Sequence, residues 1–200
     1  MANIRVIEFH GVKLCLNDQT YEPSDDTELL LNLIRVNKGD RVLDMGSGSG
    51  VLGLLALMRG AKVIFVDINP YATLSTLCSL KINEKFFNPS NYDILNCNLL
   101  TCLRRQNFDV AIFNPPYLPV EEYNQWIGYS WSGGKDGAKV LMEFLNEVNA
   151  NRIYTLFSSL SDEDKILYAI HKKRYKILRK YEKVIGYERL VGLEVIREND

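Results

Sequence analysis

Arg41-Val42-Leu43-Asp44-Met45 is a short apolar run closed by Gly46, the pattern of a buried strand. The loop Asp44-Met45-Gly46-Ser47-Gly48-Ser49-Gly50 then opens a run of helix formers, Gly50 to Arg59, which Gly60 stops. Outward from this unit the same alternation repeats. Lys62 to Asp67 reads as a second strand, followed by a helix with Pro70 in its first turn that runs to about Asn83. Tyr92 to Cys97 is a weaker third strand, Phe108 to Phe113 a fourth and Arg152 to Ser158 a fifth, with a helix over Gly137 to Val148. Ser161-Asp162-Glu163-Asp164 reads as an N-cap with acid in the first turn, opening a helix to about Lys173. Tyr175 to Ile185 and Glu188 to Arg197, around Gly186, form a hairpin, and Ile4 to Leu16, turning at Gly11, a smaller one. Strands alternating with helices predict an α/β fold, a mostly parallel sheet covered on both faces. The expectation is one domain over residues 1–200, with 1–20 as a small N-terminal hairpin extension.

Composition excludes several classes. The chain is 46% hydrophobic and 24% charged with a net charge of −1, so no global field draws it to nucleic acid. No signal peptide, lipidation motif or apolar run of membrane-spanning length is present in the sequence, so neither a membrane partner nor secretion is expected. Cys15, Cys78, Cys97 and Cys102 form no CxxC pair, and only His10 and His171 could join them. The expectation is no metal site and four reduced thiols in a cytoplasmic protein.

The glycine loop falls at the carboxyl end of the first parallel strand, where open sheets of this kind bind ligands. Gly46, Gly48 and Gly50 let the backbone approach a ligand closely, and the following helix start offers free N–H groups. Asp67 closes the next strand, where a carboxylate suits ribose hydroxyls. Two cofactors compete. Gly48 to Gly53 satisfies the GxGxxG pattern of dinucleotide enzymes. Asp44, just ahead of the glycines, suits a cationic amino-acid tail better than a pyrophosphate, which it would repel. S-adenosyl-L-methionine carries such a tail with a ribose and an adenine and no phosphate, and it is the cofactor expected.

After the fourth strand come Asn114-Pro115-Pro116-Tyr117. Neither proline has a backbone N–H, so this patch accepts hydrogen bonds and donates few. It suits a substrate bearing a planar NH2 group, a carboxamide or the exocyclic amine of a base. Taken alone, the tetrapeptide is also compatible with an ordinary tight turn.

Tyr21-Glu22-Pro23-Ser24-Asp25-Asp26-Thr27, Gly46 to Gly50, Asp67-Ile68-Asn69-Pro70, Asn114 to Tyr117 and Trp131-Ser132-Gly133-Gly134-Lys135-Asp136-Gly137 occur in that order. Together they resemble the HemK-like protein-(glutamine-N5) methyltransferases, in particular the short eukaryotic and archaeal branch acting on class 1 translation release factors. The resemblance runs from about Tyr21 onward. It implies the class I methyltransferase fold, with seven strands ending in an antiparallel hairpin, and methylation of the glutamine of a Gly-Gly-Gln motif. The bacterial branch carries a helical N-terminal domain, for which this chain has no room. Carried over residue by residue, Asp26 and Thr27 would help hold the methionine end of the cofactor, Gly46 and Gly48 would line it, and Asp67 would bind the ribose. Asn98-Leu99 stands where the family usually has Asp-Leu at the adenine, which removes a charge there. Asn114 and the Pro115 carbonyl would accept the two amide hydrogens of the substrate, with Tyr117 packing beside it. The branch also implies a small zinc-binding activator subunit, docked at the edge formed by the third strand, Tyr92 to Cys97.

Other features carry two readings each. The basic run Lys172-Lys173-Arg174, Lys176, Arg179-Lys180 and Lys183 is a solvated edge or a contact for RNA or an acidic protein. Tyr21 and Trp131 are core aromatics or walls of a substrate pocket, and Glu22 and Asp25 cap a helix near Asp26 or serve the site. Tyr123, Trp126 and Tyr129 fit a lid as well as plain packing. An N6-adenine or guanine methyltransferase acting on RNA or DNA is the alternative function, since a base amine is also a conjugated NH2.

Overall fold

The computed structural model describes residues 4–104 and 106–198; the extreme ends of the expected 1–200 domain and residue 105 lie outside the described residues. Its sheet has seven strands: β3 (Arg41–Met45), β4 (Lys62–Asp67), β5 (Tyr92–Asn96), β6 (Phe108–Phe113), β7 (Ala150–Ser158), β8 (Tyr175–Ile185) and β9 (Glu188–Arg197). Their spatial order is β5-β4-β3-β6-β7-β9-β8. The first five run parallel, whereas β9 pairs antiparallel with both β7 and β8. The order reverses between β3 and β6, so the loops leaving these strands diverge and open a crevice above their carboxyl ends.

Helices α1 (Asp25–Leu33), α2 (Val51–Met58) and α3 (Pro70–Ile82) bury Leu30, Leu54 and Leu80 on one face of the sheet, and α4 (Lys139–Glu147) and α5 (Glu163–Lys172) bury Phe144 and Ile170 on the other. The central strands are therefore apolar on both faces, which is why they read as continuous runs and not as alternation. The small hairpin is β1 (Arg5–Phe9) and β2 (Val12–Leu16), turning at His10 and Gly11, both with positive φ. It packs on α3, where Cys15 N–H donates to Ser79 Oγ at 2.9 Å and the Asn83 side chain donates to the Lys13 carbonyl at 2.7 Å.

One difference from expectation stands out. The cysteines are not reduced: Cys15 bonds Cys78 and Cys97 bonds Cys102. The first pair is 63 residues apart and meets only because β2 lies along α3, which no spacing rule could reveal. Of the basic run, Arg179, Lys180 and Lys183 are paired within the molecule, in keeping with the reading as a strand edge. Lys183 pairs with Asp25 at 2.8 Å and Glu28 at 3.3 Å, Lys180 with Glu182 at 3.0 Å, and Arg179 with the buried Glu194. Asp25 thus anchors α1 to β8, and Glu22 pairs with Arg5; neither caps the helix. Among the described residues no helix is long and apolar enough to cross a membrane, and no cluster of potential metal ligands occurs.

Candidate active site

The crevice is a cleft of about 310 Å³, within the size range of small-molecule sites. Its floor is the loop after β3, where Gly46, Gly48 and Gly50 have φ of 62°, 56° and 83°, a path that side chains with a Cβ rarely follow. The loop is held from both sides. Gly48 N–H donates to Asp67 Oδ2 at 2.9 Å, and the Gly48 carbonyl accepts from Thr76 Oγ1 at 3.0 Å. Asp67 Oδ1 accepts from Asn69 N–H at 2.8 Å. Burial pushes the Asp67 carboxyl up to about 6, against the pull of those two N–H donors. Asp44 lies beneath the cleft wall, 1% exposed, its Oδ2 accepting from Gly53 N–H at 2.8 Å. Burial pushes it up to about 8, with the neighbouring Asp67 acting in the same direction and the Gly53 N–H opposing.

On the opposite wall stands Asn114, delivered by the carboxyl end of β6. Its Nδ2 donates to Asp26 Oδ2 at 3.1 Å, while its Oδ1 is buried and accepts no hydrogen bond. Asp26 is in the first turn of α1 and 3% exposed, and it also accepts from Tyr21 Oη at 3.1 Å and Tyr117 Oη at 3.4 Å. Burial first, then the Asp26 charge, pushes both phenols well above their ordinary range, so they remain protonated donors. An unpaired buried acceptor costs about 1–3 kcal/mol. The Asn114 oxygen is therefore a position where a ligand with an N–H donor would be bound with gain.

Of the residues singled out from the sequence, Asp26, Thr27, Gly46, Gly48, Asp67, Asn98, Leu99 and Asn114 line this one cleft. Asp44, Gly50, Pro115 and Tyr117 are not among the lining residues: Pro116 lines the cleft next to Pro115, and Tyr117 acts through its hydroxyl on Asp26. Leu99 adopts a left-handed backbone, φ 46°, and the Cys97–Cys102 disulfide brackets it with Asn98. Tyr21 lines the cleft; Trp131 does not, and its Nε1 instead holds Glu122 at 3.0 Å. Tyr123 and Tyr129 line the cleft with their rings 4.9 Å apart and tilted by 54°, and Trp126 lies 5.3 Å from Tyr129 at 31°. Sequence reading missed Lys139 and Glu143, one turn apart on α4 and both on the wall, although their spacing of four is a signal. It also missed Glu188, whose Oε1 is buried without a partner and whose charge is felt by the Tyr117 phenol.

The cleft joins a carboxylate for hydroxyl groups (Asp67), apolar surface for a flat ring (Ile68, Leu99), and a glycine loop free of Lys and Arg. That set fits an uncharged ribose at Asp67, and the cation on the wall, Lys139, belongs to α4 and not to the glycine loop where a pyrophosphate would lie. A parallel sheet closed by an antiparallel hairpin, with this cleft at its switch point, defines a methyltransferase of the class I architecture. The family profile described as "Methyltransferase small domain" matches residues 22–131. A Methanocaldococcus jannaschii protein, provisionally named a protein N5-glutamine methyltransferase, is 31% identical over 96% of this chain and 99% of its own length. The human methyltransferase HEMK2 is 34% identical over 68% of each chain. The chain belongs to this family, the HemK-like protein N5-glutamine methyltransferases. Among solved structures, the E. cuniculi Mtq2–Trm112 complex, described as responsible for methylating the eRF1 translation termination factor, has a TM-score of 0.69. It is 22% identical over 90% of this chain and 99% of that one, a likeness that shows the shared fold.

Proposed function

We propose that this enzyme uses S-adenosyl-L-methionine to methylate the side-chain nitrogen of the glutamine in the Gly-Gly-Gln motif of a class 1 translation release factor. The observation that carries the reading is the Asn114 Oδ1 atom, buried, unpaired and borne by a residue of the cleft wall. Beside it the Pro115-Pro116 backbone has no N–H to offer, so the spot selects a group with hydrogens to donate. A carboxamide NH2 supplies two. The family relationship and the named activities of the relatives support glutamine as the bearer of that amide.

When bound, the cofactor supplies an electrophilic methyl group on its sulfonium. An amide nitrogen is a weak nucleophile because its lone pair is shared with the carbonyl. Asn114 Oδ1 and the Pro115 carbonyl, each accepting one N–H, would increase electron density on that nitrogen and fix the direction of its lone pair. Orientation of this kind is worth about 7–11 kcal/mol in favourable cases, and preorganised dipoles add to it. On the cofactor side we assign Asp67 to the ribose, the Gly46–Gly48 backbone and Thr27 to the methionine end, and Ile68, Asn98 and Leu99 to the adenine. Tyr123 and Tyr129, on the cleft wall, would help exclude water.

The partner reading extends from the fold neighbour, which is a complex with Trm112. A small zinc-binding activator would dock along β5, an outer strand of the sheet. We place the enzyme in the cytoplasm, where release factors act.

Labelled cofactor tests the substrate. Label should pass to the release factor and not to total RNA, and Asn114→Ala should abolish transfer while cofactor affinity stays within about threefold, since that side chain acts on the amide. Label on RNA alone would replace this reading with the base-amine one. A large loss of cofactor affinity in Asn114→Ala would refute the division of roles.

A further inference from the structure

Asp26 and Asn114 are 88 residues apart in sequence and meet because α1, packed against β7, β8 and β9, brings its first turn to the residue that follows β6. Asp26 carries an unusual load for one carboxylate. Its Oδ1 accepts from Thr27 N–H at 2.6 Å, Thr27 Oγ1 at 3.2 Å and Ser24 Oγ at 3.1 Å. Its Oδ2 accepts from Asn114, Tyr21 and Tyr117. An ionised carboxylate only accepts, whereas an amide presents an acceptor on one side and two donors on the other. Facing Asp26, the Asn114 amide has one favourable orientation, NH2 toward the carboxylate. Turned over, it would set its oxygen against a carboxylate oxygen and leave its NH2 pointing at the place where the substrate amine must sit.

We propose that Asp26 is a positioning residue for the methyl transfer: its carboxylate locks the Asn114 amide with the carbonyl oxygen, and not the NH2 group, toward the substrate. The role differs from the one implied by family resemblance, in which Asp26 holds the methionine end of the cofactor. Both Asp26 oxygens are already committed to protein donors, and the Asn114 oxygen is the atom left unpaired. The same carboxylate holds the Tyr117 hydroxyl, so both ends of the Asn-Pro-Pro-Tyr turn are tied to α1. This inference rests on the amide-methylating reading above.

The test is a pair of exchanges that keep shape and change donor and acceptor character. Asp26→Asn is isosteric, but its own NH2 can donate to Asn114, which frees the Asn114 amide to turn. The expected result is a fall in kcat of about 100-fold, the scale of a misplaced reacting group, with S-adenosylhomocysteine affinity essentially unchanged. Asn114→Asp alone sets two carboxylates against each other and is also expected to be poor. The double variant Asp26→Asn/Asn114→Asp restores one donor facing one acceptor and leaves the second carboxylate oxygen at position 114 toward the substrate. It should recover at least about tenfold over either single variant, the signature of direct coupling. A merely structural role would not produce that recovery. The proposal is overturned if Asp26→Asn keeps wild-type kcat, if its loss lies in cofactor affinity, or if the double variant is no better than the singles. The double variant decides the matter alone if Asp26→Asn does not fold. A wild type that leaves the release-factor glutamine unlabelled refutes the substrate reading and this one with it. Label on both wild type and Asp26→Asn at equal rates refutes the positioning role only.

Discussion

Asp67 ends β4 with only two backbone N–H donors to offset its loss of water, and its carboxyl is pushed up from 3.8 to about 6. In the folded protein the neutral form is therefore favoured, and between pH 3.8 and about 6 the native state binds more protons than the unfolded one. The sign follows: this group's contribution to stability falls as pH rises through that window, by about 3 kcal/mol in all. Ribose hydroxyls donate, so the cofactor should select the carboxylate and reverse part of that loss. The apparent dissociation constant should scale as one plus the protonated-to-ionised ratio, about tenfold weaker at pH 5 than at pH 8 and nearly flat above pH 7. Binding should release about 0.9 proton at pH 5 and about 0.5 at pH 6. Titration calorimetry with S-adenosylhomocysteine, in two buffers of different ionisation enthalpy, measures both quantities. In Asp67→Asn the affinity should be weak, independent of pH over this range, and without proton release. A slope confined to pH 7–9 would belong to Asp44 behind the wall. A wild-type affinity that is flat from pH 5 to 8, or a slope that survives in Asp67→Asn, would refute the assignment of Asp67 to the ribose.

Two further perturbations follow from packing. A Cβ added at Gly53 would lie 2.3 Å from Phe65 Cε1 and 2.7 Å from Asp44 Oδ2, both in the dry interior. The overpacking cost of about 1–3 kcal/mol exceeds the helix gain of about 0.5–1 kcal/mol, so Gly53→Ala should lower the melting temperature by a few degrees; an unchanged or raised value would show that α2 can shift freely. Opening the Cys97–Cys102 bond by Cys97→Ser/Cys102→Ser should relax the Leu99 backbone and weaken cofactor binding several-fold without changing kcat at saturation. Cys15→Ser/Cys78→Ser, on β2 and α3, serves as the control; equal affinities in the two pairs would contradict a role for the bracketed loop.

What could be read in advance divides along a physical line. The strand–loop–helix of residues 41–59 and the tetrapeptide 114–117 announce themselves because their chemistry is local: glycines at forced φ values, prolines without N–H, an acid closing a strand. The antiparallel closure by β8 and β9 was legible for the same reason, two strand-like runs about Gly186. The contacts that make the site work are long-range and were not. Nothing in residues 21–27 says that Asp26 will face Asn114, since that depends on where α1 lands on the sheet. The disulfide between Cys15 and Cys78 depends likewise on the hairpin lying along α3. The bond from the Gly53 N–H to Oδ2 of Asp44, the residue read as suited to a cationic tail, is likewise a contact made by the fold. The basic run left a solvated edge and a contact for RNA or an acidic protein both open in one dimension, because its partners Asp25, Glu28, Glu163 and Glu194 come from three other elements.

The central claim is that a substrate amide meets the unpaired Asn114 oxygen. Its most direct test is fragment mass spectrometry of the cognate release factor after incubation with this enzyme, its activator and S-adenosyl-L-methionine. The account predicts one added methyl group on the glutamine side chain of Gly-Gly-Gln, absent from the Gly-Gly-Ala variant and from Asn114→Ala reactions. A methyl group on any other residue, or an unmodified glutamine from an enzyme that binds the cofactor with its activator in place, would contradict it.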